Sequence, residues 1–322
     1  MTLLSANTQV GVPNSLQRLV DTEHGVLQIM VSWPFGWKAN GAPADDKEDV
    51  SDVSAVFVLD ANAYFLAATD IVRRQQFTAR RKAVIVGIGY PDCDAVYAPA
   101  RRFFDMSPPT QKGVSRWPVK DADGKDVTDE NGNPKYFELG GAAHFQKTLT
   151  ETVMPALARD MLPALPWDSM RKVLYGHSFG GLFTLYSLFT QPGIFDVYIA
   201  ASPSIWFNDK ALVNEYESQF MHWTPPASGK KPLLYLSSGS AEEDDVLRKL
   251  GESDEKLNIR RGILGVHSIN SNARDMAKRL EASGKLGEVW LQEFSLEDHA
   301  SAAVVGLQRG LNKLINEWWE GR

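Results

Sequence analysis

One heptapeptide, Tyr-Gly-His-Ser-Phe-Gly-Gly at residues 175–181, limits this chain more than any other stretch. An apolar run, Lys-Val-Leu-Tyr (172–175), leads into it. A second, Leu-Phe-Thr-Leu-Tyr-Ser-Leu-Phe (182–189), leads out. The first run reads as a buried strand and the second as a buried helix. The pattern G-x-S-x-G at such a junction puts its serine on a sharp, strained turn. Glycine has no Cβ, so Gly176 and Gly180 let the two arms of the turn approach. The turn pushes the Ser178 hydroxyl out at the C-terminal edge of a parallel sheet, where ligands bind in open α/β folds.

The rest of the chain supplies that sheet. Residues 16–33 hold two alternating runs separated by Thr-Glu-His-Gly, which predicts a hairpin with Gly25 at its turn. Continuous apolar runs at 55–60, 82–91, 171–176, 196–203 and 231–239 read as strands covered on both faces. Residues 287–294 read as a last strand. Helical spacing lies between them, at 61–76, 140–161, 180–191, 265–283 and 302–319, with a break or kink expected at Pro155. Alternating strands and helices predict a mostly parallel central sheet, helices on both faces, and an antiparallel hairpin at the N-terminal edge. All 322 residues are expected to form one domain. Within it, residues 115–136 make a polar insertion with two turn signals, a small hairpin or a lid.

Composition removes several function classes. Net charge is −6 and the paired arginines are scattered among acids, so a nucleic-acid surface is not expected. No apolar stretch approaches about 18 residues, which argues against a membrane span. The N-terminus has no charged segment ahead of an apolar one, and Cys93 is the only cysteine. A cytoplasmic setting is the expectation.

A serine hydroxyl at its ordinary pKa is a poor nucleophile and needs a positioned base. In folds with this elbow the chain order is serine, acid, histidine. Of six histidines, His299 alone follows the last strand and precedes the last helix, so it is the expected base. The acid is expected after the strand that ends at Gly239. Spacing favours Glu242, with Glu243 as the alternative. Its work is to hold the imidazole tautomer. The Phe179 N–H at the helix start is one expected oxyanion donor, and the Ala61 N–H after the strand at 55–60 the other. Gly140 and Gly141 could bring further amides to the cleft. This chemistry calls for no cofactor and no metal, and the expected partner is a small-molecule ester.

Several segments, in order, resemble one family: "VFVLDANAYF", "VIVGIGYP", "RRFFDMSPP", "GGAAHFQKTLTETVMPAL", "YGHSFGGLFTLYSLF", "AASPSIWFND" and "EFSLEDHAS". They are similar to the siderophore esterases, within the esterase D-like α/β-hydrolases, from about residue 15 to the end. The resemblance implies an α/β-hydrolase fold, with Ser178 as nucleophile and His299 as base. It implies that Arg101 or Arg102, Gly140, Gly141 and Trp206 lie near the substrate. That substrate would be a ferric triester or trilactone of the fusarinine, enterobactin or bacillibactin type. The chain departs from the family at Ala61 and Ala300, where glycine is frequent. The second departure bears on the turn around the histidine. Other readings of the same elbow are a general carboxylesterase of the S-formylglutathione-hydrolase kind, an acyltransferase, and a non-catalytic ligand binder.

Overall fold

Apolar β-branched runs flanked by helical periodicity condense into eight strands of one sheet. The computed structural model describes residues 11–45, 47–91, 96–121, 124–226 and 230–318; Cys93 and the first ten residues lie outside these. The strands are β1 (Ser15–Val20), β2 (Leu27–Ser32), β3 (Ser54–Val58), β4 (Ala83–Gly89), β5 (Arg116–Pro118), β6 (Tyr136–Glu138), β7 (Arg171–His177), β8 (Val197–Ala201), β9 (Leu233–Gly239) and β10 (Glu288–Phe294). The sheet order is β1-β2-β4-β3-β7-β8-β9-β10, and β5-β6 pair separately. Every pairing from β4 to β10 is parallel, whereas β2 is antiparallel to both β1 and β4. Strands β3, β4, β8 and β9 are buried at every residue. Helices on both faces account for this, because a parallel sheet needs crossovers on each side. The two layers form two apolar cores, one around Phe57, Leu174 and Phe183, the other around Tyr175, Tyr235 and Leu307.

The helical stretch at 207–222 was not expected, and three further departures from the expected elements have local causes. The helix expected at 265–283 is two helices, Asp254–His267 and Ile269–Ser283. They are split where Ser268 adopts φ 45° and its hydroxyl donates to the Gly265 carbonyl at 2.5 Å. Pro155 does not break its helix. The backbone stays helical from Ala142 to Met161, with five-residue π-turns at Leu149–Val153 and Leu157–Met161 on either side of the proline segment. Wider turns absorb the missing proline N–H. A short helix at Pro99–Met106, unrecognised in the sequence, begins on a proline.

The insertion is neither an irregular loop nor one hairpin. Beyond β5 and β6 it folds into a three-way junction. The N–H of Val119 donates to Lys135, that of Val127 to Val119 and that of Lys135 to Val127, at 2.8–2.9 Å. Two turns cap its arms, with Asp121 and Asp129 carboxylates accepting backbone amides at 2.9 Å.

Candidate active site

The serine stands at the end of β7, where the chain turns into the helix Phe179–Thr190. Its φ is 58° and ψ −115°, strained for a residue with a side chain. Three bonds over-determine it: the Ser178 N–H donates to the Ala201 carbonyl at 3.0 Å, and its carbonyl accepts from Leu182 at 2.9 Å and from Ser204 at 3.1 Å. Gly176 is obligatory. A Cβ there would lie 2.1 Å from the Gly180 carbonyl oxygen. Gly180 has room by comparison, since a Cβ there would have its nearest neighbour at 3.4 Å, while a Cβ on Gly181 would lie 3.0 Å from the Ala201 carbonyl and from Pro203.

The histidine arrives from far along the chain. His299 opens the helix His299–Lys313, and the Asp298 side chain accepts from the N–H of Ala300 and Ser301 at 3.0 Å each. Ala300 is therefore an ordinary first-turn residue with negative φ, and glycine is not needed there. Leu296, with φ 63°, donates to the Ser240 hydroxyl at 2.8 Å. The Glu297 carbonyl accepts from Ala241 at 3.1 Å. A Cβ on Gly239 would strike that same carbonyl at 2.1 Å. The loops carrying acid and base are thus zipped together through their backbones.

Three side chains meet. The Ser178 hydroxyl donates to His299 Nε2 at 3.0 Å, and His299 Nδ1–H donates to Glu242 Oε2 at 2.5 Å. A carboxylate only accepts, which assigns the Nδ1–H tautomer. Glu242 is 1% exposed, and its other oxygen accepts from the Ser202 hydroxyl at 2.5 Å and the Gly239 N–H at 2.7 Å. Those bonds compensate burial of the charge. Glu243 turns the other way, accepting from the Ser271 hydroxyl and N–H.

The oxyanion side is built from β3 and the nucleophile helix. Leu59 N–H donates to the Tyr175 carbonyl at 3.0 Å, so the loop after β3 runs beside the elbow. Asp60, in the left-handed region, precedes Ala61 at the first position of the helix Ala61–Ala79. Amides of a helix's first turn have no partner inside the helix. This holds for Ala61 and for Phe179, which opens its own helix.

Other expected site residues sit differently. Arg102 is 7% exposed and locked to Asp60 by two bonds, at 3.0 and 2.9 Å, with its guanidinium near the Phe179 ring. It braces the loop before Ala61 and does not present its charge to a ligand. Arg101 is more open and pairs with Asp105 at 3.2 Å. The Gly140 N–H donates to the Ser107 hydroxyl at 2.7 Å and the Gly141 N–H to the Phe104 carbonyl at 2.8 Å, so neither amide is left for a ligand. A side chain on Gly141 would collide with the Phe104 ring. Trp206 is stacked on His267 (3.9 Å, 7°) and lies parallel to Trp117 at 6.1 Å. His267 covers one face of this ring, which also meets the Phe179 ring edge-on at 6.4 Å, beside the nucleophile.

Sequence reasoning missed four neighbours. Ser204 Oγ lies 3.4 Å from Ser178 Oγ. Trp117, from the insertion, meets the Phe179 ring edge-on at 5.5 Å. His267 stacks on Trp206, and partial burial first, then the charge of His299, lower its pKa. The His177 ring packs 4.5 Å from the His299 ring. His177 Nδ1 is hydrogen-bonded to the Tyr64 hydroxyl at 3.1 Å, and Tyr64 in turn to Tyr97. Burial first, then the charges of His299 and Arg102, hold His177 well below 6.5, so it is neutral. Its place next to the nucleophile was the available signal, but a residue's direction out of a turn is not written in its spacing.

A groove of about 760 Å³, lined by Pro13, Phe35, Leu66, Arg73 and Phe77, lies on the outer face of the helix Ala61–Ala79 and contains none of these groups. Among the described residues no helix is long and apolar enough to cross a membrane.

Comparison with known proteins adds a second line of argument. The Esterase family model matches residues 114–260. A siderophore enterobactin esterase of Emericella nidulans is 35% identical over 301 residues, 93% of this chain and 92% of that protein. A siderophore triacetylfusarinine C esterase of Aspergillus fumigatus is 31% identical, covering 97% and 96%. Among solved structures, a siderophore hydrolase from Aspergillus nidulans superposes with TM-score 0.83 at 34% identity, covering 98% of this chain and 99% of that one.

Proposed function

This chain belongs to the siderophore esterases of the α/β-hydrolase fold and is a carboxylic ester hydrolase; from that premise we propose that it opens siderophore triesters or trilactones through an acyl-enzyme on Ser178. The observation that carries this reading is the unbroken chain Ser178–His299–Glu242, at 3.0 and 2.5 Å, on a strained elbow.

The steps follow from the geometry. Ser178 Oγ attacks an ester carbonyl carbon as His299 Nε2 takes its proton. Glu242 stabilises the imidazolium, and its two further donors keep it in place. Negative charge develops on the carbonyl oxygen, toward the N–H groups of Phe179 and Ala61, each worth a few kcal/mol of barrier. The tetrahedral intermediate collapses, the ester C–O bond breaks, and His299 returns the proton to the departing alcohol. Water then repeats the sequence on the acyl-enzyme. A cyclic triester would need up to three rounds, and each removes one tether from the chelate. Arg102 is a positioning residue in this reading. It holds Asp60, and so orients the Ala61 amide. Arg101, at the rim, is the cation that would meet an anionic ferric complex. The lone cysteine suits a reducing compartment, and we read the enzyme as cytoplasmic, which cell fractionation tests.

Product analysis decides the substrate. The purified chain is incubated with a ferric fusarinine-type triester, an enterobactin-type trilactone, their iron-free forms and p-nitrophenyl acetate. Stepwise linear products from a siderophore, absent with Ser178→Ala, are expected. Hydrolysis of the nitrophenyl ester alone removes the siderophore reading and leaves the esterase.

A further inference from the structure

A second cluster of chemistry-bearing side chains lies at the same edge of the sheet, outside the hydrolytic relay. Glu23 and His24 stand in the turn between β1 and β2, and His144 in the first turn of the helix Ala142–Thr148. One ligand-capable atom from each lies within 4.8 Å of the others. The pairing of Gln28 with Gly89 sets this turn over the C-terminal ends of the parallel strands. The turn is closed on itself: Gly25 N–H donates to the Thr22 carbonyl at 3.1 Å, and the Thr22 hydroxyl to the Gly25 carbonyl at 2.5 Å.

His24 is held between two rings. It meets Phe104 edge-on at 5.1 Å and His144 edge-on at 4.8 Å. Its Nε2 is buried without a hydrogen-bond partner among the described residues. An orphaned buried ring nitrogen costs free energy unless something occupies it. The adjacent cation does not compete for Glu23, because the Arg101 guanidinium beside Gly25 is paired with Asp105.

We propose that Glu23, His24 and His144 form a binding site for one divalent transition-metal ion of the Zn²⁺ class, fastening the β1–β2 turn to the helix Ala142–Thr148 at the rim of the catalytic edge. Two imidazoles and a carboxylate are a borderline donor set that suits Zn²⁺ and is too nitrogen-rich for Mg²⁺ or Ca²⁺. Metal–ligand bonds of about 2.0–2.2 Å require the three donors to close in from their present spacing. Glu23 and His144 are exposed and can rotate to do so, while His24 is already fixed. A fourth, outward position is left for water. This site does not depend on which ester the enzyme cleaves.

The test is calorimetric titration of ZnCl₂ into the chelator-stripped full-length chain, with thermal melts of the same samples. One ion per chain is expected, with a rise in melting temperature. His144→Gln and Glu23→Gln should each weaken binding by about tenfold or more, with metal-free melting temperatures unchanged because both residues are exposed. His299→Gln should bind as the parent does, which separates this site from the catalytic imidazole. Equal binding by the parent and His144→Gln, loss of binding in His299→Gln, or no binding at millimolar Zn²⁺ would each overturn the assignment.

Discussion

The elbow at 175–181 and the insertion at 115–138 both rise from the C-terminal edge of the sheet, yet they are held in opposite ways. The elbow is built from buried backbone. It stores strain at Ser178, and three backbone bonds fix it. The insertion closes backbone hydrogen bonds within its own three-way junction and meets the body through Trp117 and Phe137, against Phe103, Phe179, Trp206 and Phe207. The elbow therefore cannot move without unfolding its surroundings. Breaking the insertion's contact with the body would break none of its internal bonds. Chemistry is placed on the rigid element, and the insertion adds the Trp117 ring beside it.

The comparison is broken most directly by removing the hydroxyl. Ser178→Ala is expected to lower kcat by about 10⁴-fold or more and to abolish fluorophosphonate labelling, while the melting temperature stays close to the parent's, because alanine keeps the Cβ and with it the backbone strain. Next in size is the acid. Glu242→Gln should cost about 10³-fold or more in kcat, whereas Glu243→Gln, facing Ser271, should stay within about threefold of the parent. Equal losses would show that the tautomer is held by something other than Glu242. Gly176→Ala drives a Cβ into the Gly180 carbonyl and should destabilise the fold by about 3 kcal/mol or more, read as a lower urea midpoint. An alanine in the insertion at Gly124 or Gly132, where nothing crowds a Cβ and only the positive φ is strained, should cost far less.

Acid separates the two regions further. His177 is neutral in the folded state because its pKa is lowered well below 6.5. The unfolded chain therefore binds more protons there. Stability is fully present above pH 6.5 and falls as the pH drops below it toward the folded value, by up to about 1.4 kcal/mol per pH unit. Urea midpoints between pH 7.5 and 5.5 should show this slope, reduced in His177→Gln. The smallest effect is expected at the anchor of the insertion. Trp117→Ala should raise KM for a large ester several-fold, up to about tenfold, with kcat nearly kept. It should also speed proteolysis within 119–135. A kcat loss equal to the KM change would mean that Trp117 positions the elbow and not the insertion.

Much of this molecule is legible without coordinates. Buried strands announce themselves as unbroken apolar runs, and the elbow as glycines around a serine between a strand and a helix, because each is a local steric or periodic requirement. Glu242 and His299 follow from chain order and from which strand end each one leaves. What remained hidden involves partners distant in sequence. Arg102 could not be told from Arg101 until the fold placed Asp60 beside one of them. Gly140 and Gly141 looked like free amides until the helix Pro99–Met106 supplied their acceptors. The stacking of His267 on Trp206 joins residues 61 positions apart and had no signal in the spacing. The sequence by itself determined the strands of the main sheet, their order and the strained turn, because backbone sterics and hydrophobic period act over a few residues. Only the tertiary structure decided which polar groups are occupied and which remain open, because hydrogen bonds and ring contacts depend on distance in space, and sheet packing sets that distance between residues a hundred positions apart.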